Sequence, residues 1–170
     1  KTSCTPLFFK ADPVKTGLEQ IEKVKVFFRE AKAYLAETKH ENTNLKFEAV
    51  KGLFDKKQKL FIHCDLVKEI LIAADFVNEF GFDVVLVGAS ESWQVAGLIK
   101  QHNMAVIINQ AHNLPTMMDD DIDQPFKLAS ALQNAGVLFA INDDDGNTHS
   151  RNLAFNAGTY ATYGLTKEQA

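Results

Sequence analysis

Polar side chains that could carry chemistry follow four short apolar runs of this sequence. His63 and Asp65 end the first run, Glu91 follows the second, His112 follows the third, and the fourth leads into residues 142–146 (NDDDG). Imidazole nitrogens and carboxylate oxygens suit zinc, iron or manganese, and such a metal lowers the pKa of a bound water toward 7. Two of the five histidines and an acidic cluster at such positions indicate a metal site with an activated water.

Each of these groups also has a structural interpretation. A histidine inside an apolar run, such as His63, is often a hydrogen-bonded core residue, and His112 before the segment NLP is equally typical of a fixed loop. The acidic run 119–123 is more typical of a solvent-exposed surface or of negative charge at a helix N-terminus than of a calcium site, because its spacing does not match the EF-hand pattern. Residues 143–146 also favour a turn. Both interpretations stay open on the residues alone.

Nucleophilic catalysis has little support. No GxSxG elbow occurs, so a serine triad is not indicated. Cys64 and His63 are neighbours on a predicted strand and therefore point to opposite faces. Cys4 and Cys64 form no CxxC pair, so we expect no structural zinc finger, and Cys64 is predicted to be a buried, reduced thiol.

The elements that must position these residues alternate between helices and strands. The spacing of apolar residues predicts an irregular start at 1–13 and helices at 14–37, 44–54, 66–80, 92–102, 125–135 and 151–163. Short apolar runs predict strands at 60–64, 84–87, 105–108 and 137–141. These runs are continuous rather than alternating, which is typical of parallel strands covered by helices. The predicted fold class is therefore α/β, and Gly81 is expected to end the helix before the second strand.

Two architectures fit this alternation: a doubly wound sheet and part of a (β/α)8 barrel. The nucleotide-binding signatures GxGxxG and GxxxxGK[ST] are missing. Gly88, Ala89 and Ser90 after the second strand could hold an anion at a helix N-terminus, which is a weak indication. Four βα units from one chain would form an open half of a barrel.

Composition excludes several classes of protein. The 170 residues are 46% hydrophobic and 24% charged, which supports a core and argues against disorder. A net charge of −4 with mixed signs gives no basic surface for nucleic acid or anionic lipid. No apolar run reaches the roughly 18 residues of a membrane helix, and no signal peptide is visible. Because the chain begins at Lys1 and stops in a helix-like segment, 166–170, we interpret it as a fragment of a soluble protein, bacterial cytoplasmic or exported, whose N-terminal address is missing.

Four stretches at these strand ends resemble the amidohydrolase superfamily, specifically its imidazolonepropionase-related branch. They are residues 60–65 (LFIHCD), 84–89 (VVLVGA), 106–115 (VIINQAHNLP) and 137–144 (VLFAINDD). The tail adds 151–158 (RNLAFNAG) and 163–170 (YGLTKEQA), which are similar to the segment after strand 8 in that family. The resemblance covers about residues 59–170. Each motif alone is weak evidence, but their order and spacing together are fairly specific.

The resemblance implies strands 5 to 8 of a (β/α)8 barrel and, in the whole enzyme, metal-dependent hydrolysis of carbon–nitrogen bonds such as cyclic amides, amidines or peptide-like carbonyls. His63 would be a metal ligand at the end of strand 5. Asp144, with Asp143 as the alternative, would be the strand 8 ligand and the proton acceptor for the attacking water. Zinc would be the metal.

For the small-molecule substrate, the resemblance implies three further residues. His112 would face the substrate and donate a hydrogen bond to its carbonyl. Asn142 is a candidate substrate-binding residue, and Arg151 would either pair with a substrate carboxylate or cap local structure.

The sequence departs from the family pattern in two ways. The His-x-His pair of strand 1 has no match here, and the region of Gly88 and Ala89 replaces a histidine that often follows strand 6. A site with only His63 and Asp144 as ligands would bind metal weakly. We therefore divide the chain into a helical lead-in, 1–58, and a barrel half, 59–170, and expect the isolated chain to be inactive.

Two other functions remain as alternatives: a non-catalytic or degenerate barrel that binds without metal, and a flavodoxin-like nucleotide-binding domain. A half-barrel would also have unpaired strand edges and an exposed apolar face, and both favour association with other chains. The chain is expected either to self-associate or to have residues 1–55 folded over its open side.

Overall fold

Four parallel strands form one sheet whose spatial order follows the order along the chain. The structure is a computed structural model that describes residues 14–37, 42–143 and 150–170. The predicted irregular start, 1–13, and the end of the acidic segment, Asp144 included, lie outside the described residues. The strands are β1 (Leu60–Cys64), β2 (Val84–Gly88), β3 (Ala105–Ile108) and β4 (Phe139–Ile141).

Six α-helices accompany these strands. They are α1 (Val14–Ala36), α2 (Leu45–Phe54), α3 (Val67–Phe80), α4 (Ala96–Gln101), α5 (Gln124–Ala135) and α6 (Leu153–Thr162). The α/β prediction is thus confirmed, and Gly81 ends α3 in the left-handed conformation as expected. In the part of the chain that the structure describes, no helix combines the length and the apolar character needed to cross a membrane.

Three predicted elements differ in helix type or by more than one residue at their start, and the others agree to within one residue at each end. The helix expected at 92–102 begins as a 3-10 helix (Ser92–Val95), and the helix expected at 151–163 also begins with one (Ser150–Asn152). The last strand begins at Phe139 rather than at 137, because Leu138 is 72% exposed and Val106 pairs with Phe139. Residues 166–170 form a turn rather than a helix, held by bonds to the carbonyl of Thr166.

The strand order decides between the two architectures. Right-handed crossovers place every connecting helix on the same face when each new strand adds to the same edge of the sheet. A doubly wound sheet instead reverses its order at a switch point and has helices on both faces. The order β1-β2-β3-β4 contains no reversal, so it is the order of a barrel and not of a flavodoxin-like domain.

The two faces of the sheet differ in burial. Ile62, Leu86 and Val106 belong to the hydrophobic core and are at most 4% exposed, so their face is the one that the helices cover. The alternate residues point to the opposite face, which in a closed barrel lines the interior. His63 is on that face and pairs in register with Val87.

The first lead-in helix, α1, packs on α3. The ring of Phe28 lies 6.2 Å from that of Phe76, 5.6 Å from Phe80 and 5.1 Å from Phe82, and Arg29 Nε donates to the carboxylate of Glu79. Residues 1–55 were expected to fold over the open side of the sheet. Their described part instead packs beside α3, on the face that the helices cover. The boundary at residue 58 stays a prediction.

Cys64 is a free, buried cysteine at the end of β1, and its thiol is expected to be unreactive. Burial, with smaller contributions from Glu69 and Asp65, raises the pKa of the Cys64 thiol from 9.0 to about 12. The thiolate is the reactive form. We expect an aromatic disulfide reagent near pH 8 to label Cys64 at least roughly 100-fold more slowly in the native chain than in concentrated urea.

The measurement uses a Cys4→Ser background, so that Cys64 alone is read. The raised pKa also sets the sign of a pH effect: the unfolded thiol ionises first, so above about pH 9 the free energy of unfolding falls, by up to about 1.4 kcal/mol per pH unit. Comparison with Cys64→Ala isolates this contribution. Rapid native labelling would contradict the burial of the thiol.

Candidate functional site at the carboxyl ends of the strands

The carboxyl ends of the four strands lie side by side and bring the predicted polar segments to one rim of the sheet. His63, the penultimate residue of β1, is exposed on the interior-type face. Asn142 and Asp143 directly follow β4, and the backbone N–H of Asn142 donates to the carbonyl of Ile108 at 2.8 Å, which continues the β3–β4 pairing. Arg151 is exposed in the 3-10 helix before α6.

Hydrogen bonds hold the carboxyl ends of β1 and β2 together. The carboxylate Oδ1 of Asp65 accepts a 2.8 Å hydrogen bond from Ser90 Oγ, and the backbone N–H of Ala89 donates to the carbonyl of Cys64 at 2.5 Å. Gly88 has a φ of +92°, and a Cβ built there would lie 2.7 Å from Asp65 Oδ1. The carboxylate of Asp65 therefore fills the space that a side chain at position 88 would need.

The sequence analysis placed Asp65 among the polar residues at the strand ends but gave it no role. Its position directly after β1, facing a glycine at the end of the next strand, was the available signal.

Two glutamates fix the start of α3 and with it the end of β1. Glu69 Oε2 accepts from the backbone N–H groups of Asp65 at 2.9 Å and Leu66 at 3.2 Å. Glu91, only 3% exposed, accepts from the N–H of Val67 at 2.8 Å through Oε2. Carboxylates at these orphan N–H groups also interact favourably with the helix dipole. The bond to Val67 gives Oε2 of Glu91 a structural role, whereas Oε1 is buried without a hydrogen-bond partner among the described residues.

The loop after β3 is tied to α6. The hydroxyl of Tyr160, a residue 1% exposed, donates to the carbonyl of Asn109 at 2.9 Å, and burial raises the pKa of that hydroxyl. His112 Nε2 lies 3.1 Å from Thr159 Oγ1, whose own proton points to the carbonyl of Phe155 at 3.1 Å. We therefore assign the proton to Nε2, which leaves Nδ1 of a neutral His112 as an acceptor. The expected role of His112 as a donor to substrate stays a prediction, and it would require a protonated ring or another tautomer.

The acidic loop has a structural role at the start of α5. Lys127 Nζ lies 2.7 Å from Asp123 Oδ1 and 3.4 Å from Asp121 Oδ2. Asp120 Oδ2 accepts from the backbone N–H of Met117 at 3.3 Å. These pairs agree with the interpretation of the run as charge near a helix N-terminus.

A cavity of about 40 Å³ lies between the ends of β2 and β3, beneath the loop that leads to α5. Its lining includes the polar residues Ser90, Asn109 and Gln124 and the larger side chains of Leu128 and Tyr160. Oδ1 of Asn109 is buried and has no hydrogen-bond partner among the described residues.

A comparison with solved structures finds a protein with a similar fold. The chain is similar to an amidohydrolase from Thermotoga maritima MSB8, with a TM-score of 0.75 and 19% identity, and the match covers 98% of this chain and 48% of that protein. The fold is one half of a (β/α)8 barrel. At this identity the likeness establishes the fold alone. No protein-family model matches the sequence, and comparison with curated proteins gives no match either.

The half-barrel does not by itself assemble a metal centre from its described residues. Residues 14–37, 42–143 and 150–170 contain no group of three or more His, Cys, Asp or Glu side chains placed to hold an ion. His63 and Asp143 lie at the rim, and Asp144 lies outside the described part. Two described candidate ligands are too few for a catalytic zinc ion, which takes at least three protein ligands.

Proposed function

We propose that the half-barrel belongs to a hydrolase that cleaves non-peptide carbon–nitrogen bonds of a small molecule at the carboxyl rim. The observation that carries this proposal is the match of 98% of the chain to about half of an amidohydrolase. Placement of the polar segments at the carboxyl rim supports it, because active sites of (β/α)8 barrels lie there. The imidazolonepropionase-related branch is the finer form of the proposal, and it rests on the tail 163–170 (YGLTKEQA).

The proposed residues keep the roles that the resemblance implies. His63 and Asp144, or Asp143 in its place, would supply two ligands to a divalent metal, with zinc as the expected ion. The remaining ligands would come from strands that this chain does not contain. Asn142 and Arg151 would contact the substrate, and the half-barrel alone is expected to be inactive.

Zinc titration of the chain tests the ligand assignment. We expect weak binding that His63→Ala lowers by roughly tenfold or more, because one of two ligands is lost. Asp144→Ala should lower it similarly. The affinity can be measured by competition with a chromogenic chelator.

His102→Ala is the matched control, since His102 follows α4 and precedes β3, at the opposite end of the sheet. Its affinity for zinc should equal that of the unchanged chain. Equal losses in the His63 and His102 variants would indicate non-specific binding and would remove His63 from the proposed site.

A non-catalytic barrel is the second candidate, and the contact between Asp65 and Gly88 favours it. Because of that contact, a side chain at position 88 could act as a ligand only if the carboxylate of Asp65 moved. This candidate predicts that zinc binding, if measurable, is unaffected by His63→Ala, and that a protein with all eight strands hydrolyses neither cyclic amides nor amidines.

A further inference from the structure

The face of the sheet opposite the helices, here called the bare face, is largely apolar. Phe61, Val87 and Ile107 lie on it, and these half-buried residues do not belong to the hydrophobic core. Leu138, directly before β4, is 72% exposed, and His63 is the one polar side chain that the four strands place on this face. Closed (β/α)8 barrels bury such a face, because bulky branched side chains fill their interior. The bare face therefore has the composition of a buried surface.

The outer edge of β1 has no strand partner among the described residues. Leu60 N–H donates to the carbonyl of Asp83 at 2.9 Å, and alternate residues of a parallel strand face the same neighbour. Phe61, the next residue, therefore directs its N–H and C=O groups away from β2. An open edge of this kind is a template for another strand.

The outer edge of β4 is open in the same way. The carbonyl of Leu138 accepts from Val106 N–H at 3.0 Å, so Leu138 faces β3. Phe139 and Ile141 alternate with Leu138 in direction and turn their N–H and C=O groups outward. The described sheet thus ends on both sides in backbone donors and acceptors that a parallel strand would satisfy.

The number of strands determines how many copies close the sheet. Eight strands complete one turn in a (β/α)8 barrel, so four strands turn the sheet by about 180°. The match to 48% of an amidohydrolase gives this chain the fold of such a half. A second copy rotated by about 180° about the barrel axis places its β1 against β4 of the first copy and its β4 against β1. Both edges are then paired at once, and none is left for a third copy.

The helices beside the two edges also carry exposed apolar side chains. Leu153 and Phe155 of α6, which follows β4, are 42% and 72% exposed. Leu45, at the start of the helix α2 that precedes β1, is 78% exposed. A second copy whose β1 lies beside β4 brings its α2 next to α6. The same closure therefore brings together apolar side chains on the outside of the barrel.

We propose that two copies of this chain form a two-fold symmetric dimer in which their half-barrels close into one eight-stranded barrel. Each of the two seams pairs β4 of one copy with β1 of the other, and the two bare faces together form the interior. The partner of the bare face is thus a second copy of this chain. This inference does not depend on the proposed function, because closure needs neither metal nor substrate.

Sedimentation equilibrium of the 170-residue chain at increasing concentration tests the proposal. We expect the mass to level off at twice that of the chain, without larger species. A monomer at every concentration would overturn the proposal. So would an assembly that keeps growing, because a head-to-tail contact that does not close forms an open filament.

Ala140→Lys tests burial of the bare face. Ala140 is exposed and pairs in register with Ile107, so a lysine should be tolerated in a separate chain, whereas the closed dimer would bury two ammonium groups. We expect the dissociation constant of the dimer to rise at least about 100-fold. Leu71→Lys is the control, because Leu71 is 47% exposed on α3, on the other side of the sheet, and it should leave the constant unchanged. Equal dissociation constants for the two variants would overturn the proposal.

Variants at Ile141 test the paired seam. Ile141→Pro removes the N–H that points to the open edge and spares the hydrogen bonds to β3, since proline is tolerated on an edge strand when its nitrogen faces outward. Ile141→Ala removes the same apolar side chain and keeps that N–H. We expect dimer dissociation to be at least about tenfold stronger in the proline variant than in the alanine variant. Equal dissociation would mean that the copies meet without pairing their edges, and closure into one barrel would be rejected.

Discussion

Phe28→Ala is expected to lower the free energy of unfolding by about 3–5 kcal/mol, the range for large-to-small changes of buried aromatic residues. Phe28 is 4% exposed and makes ring contacts with Phe76, Phe80 and Phe82. Its removal leaves a cavity between α1 and the rings that it contacts, which partial relaxation of the helix does not close. Urea denaturation followed by circular dichroism measures the change.

Val26→Ala on the same helix is the control. Val26 is 41% exposed, so its truncation should alter the free energy of unfolding by no more than about 0.5 kcal/mol. The pair of variants also tests the division at residue 58. A loss below about 1 kcal/mol for Phe28→Ala would mean that the lead-in is a separate unit that contributes little to the sheet's stability.

Gly88→Ala is expected to cost about 2–4 kcal/mol, for two reasons that add. The φ of +92° is unfavourable for any residue with a side chain. The new Cβ would also lie 2.7 Å from Asp65 Oδ1 and 3.1 Å from the carbonyl oxygen of Cys64, so the carboxylate would have to move. The same denaturation experiment reports the effect.

Gly97→Ala is the matched control, because a Cβ at that helical position meets no atom within 4 Å. It should be neutral or slightly stabilising. Adding Asp65→Ala to Gly88→Ala should recover about 1 kcal/mol or more, the part due to the carboxylate rather than to φ. If the double variant recovers nothing, the contact between Asp65 and Gly88 is not the cause of the loss.

Local pattern was sufficient to predict the elements and the rim. The spacing of apolar residues in α1 and the continuous apolar runs at β1 and β3 depend on neighbours within a few positions, so their predicted bounds agree with the structure to within one residue. Parallel direction then brings the segments after each strand to one edge, which is why the polar residues could be assigned to a common rim.

Contacts between distant residues could not be predicted in this way. The choice between a barrel and a doubly wound sheet depends on strand order, which composition and spacing do not encode. The pairing of His112 with Thr159 joins residues 47 positions apart, and the hydrogen bond between Asp65 and Ser90 spans 25. The sequence also could not show that Leu138 lies before β4, because this exposed side chain is as apolar as those of the strand.

The sequential sheet also bears on how the chain is made. Each strand after β1 pairs with the strand that precedes it, so every new βα unit finds its partner already outside the ribosome. Growth from the N-terminal end then never has to insert a strand between two others. Of the four described strands, β4 has three residues, one described neighbour and the latest place in this order, so its residues should exchange their amide hydrogens faster than those of β2.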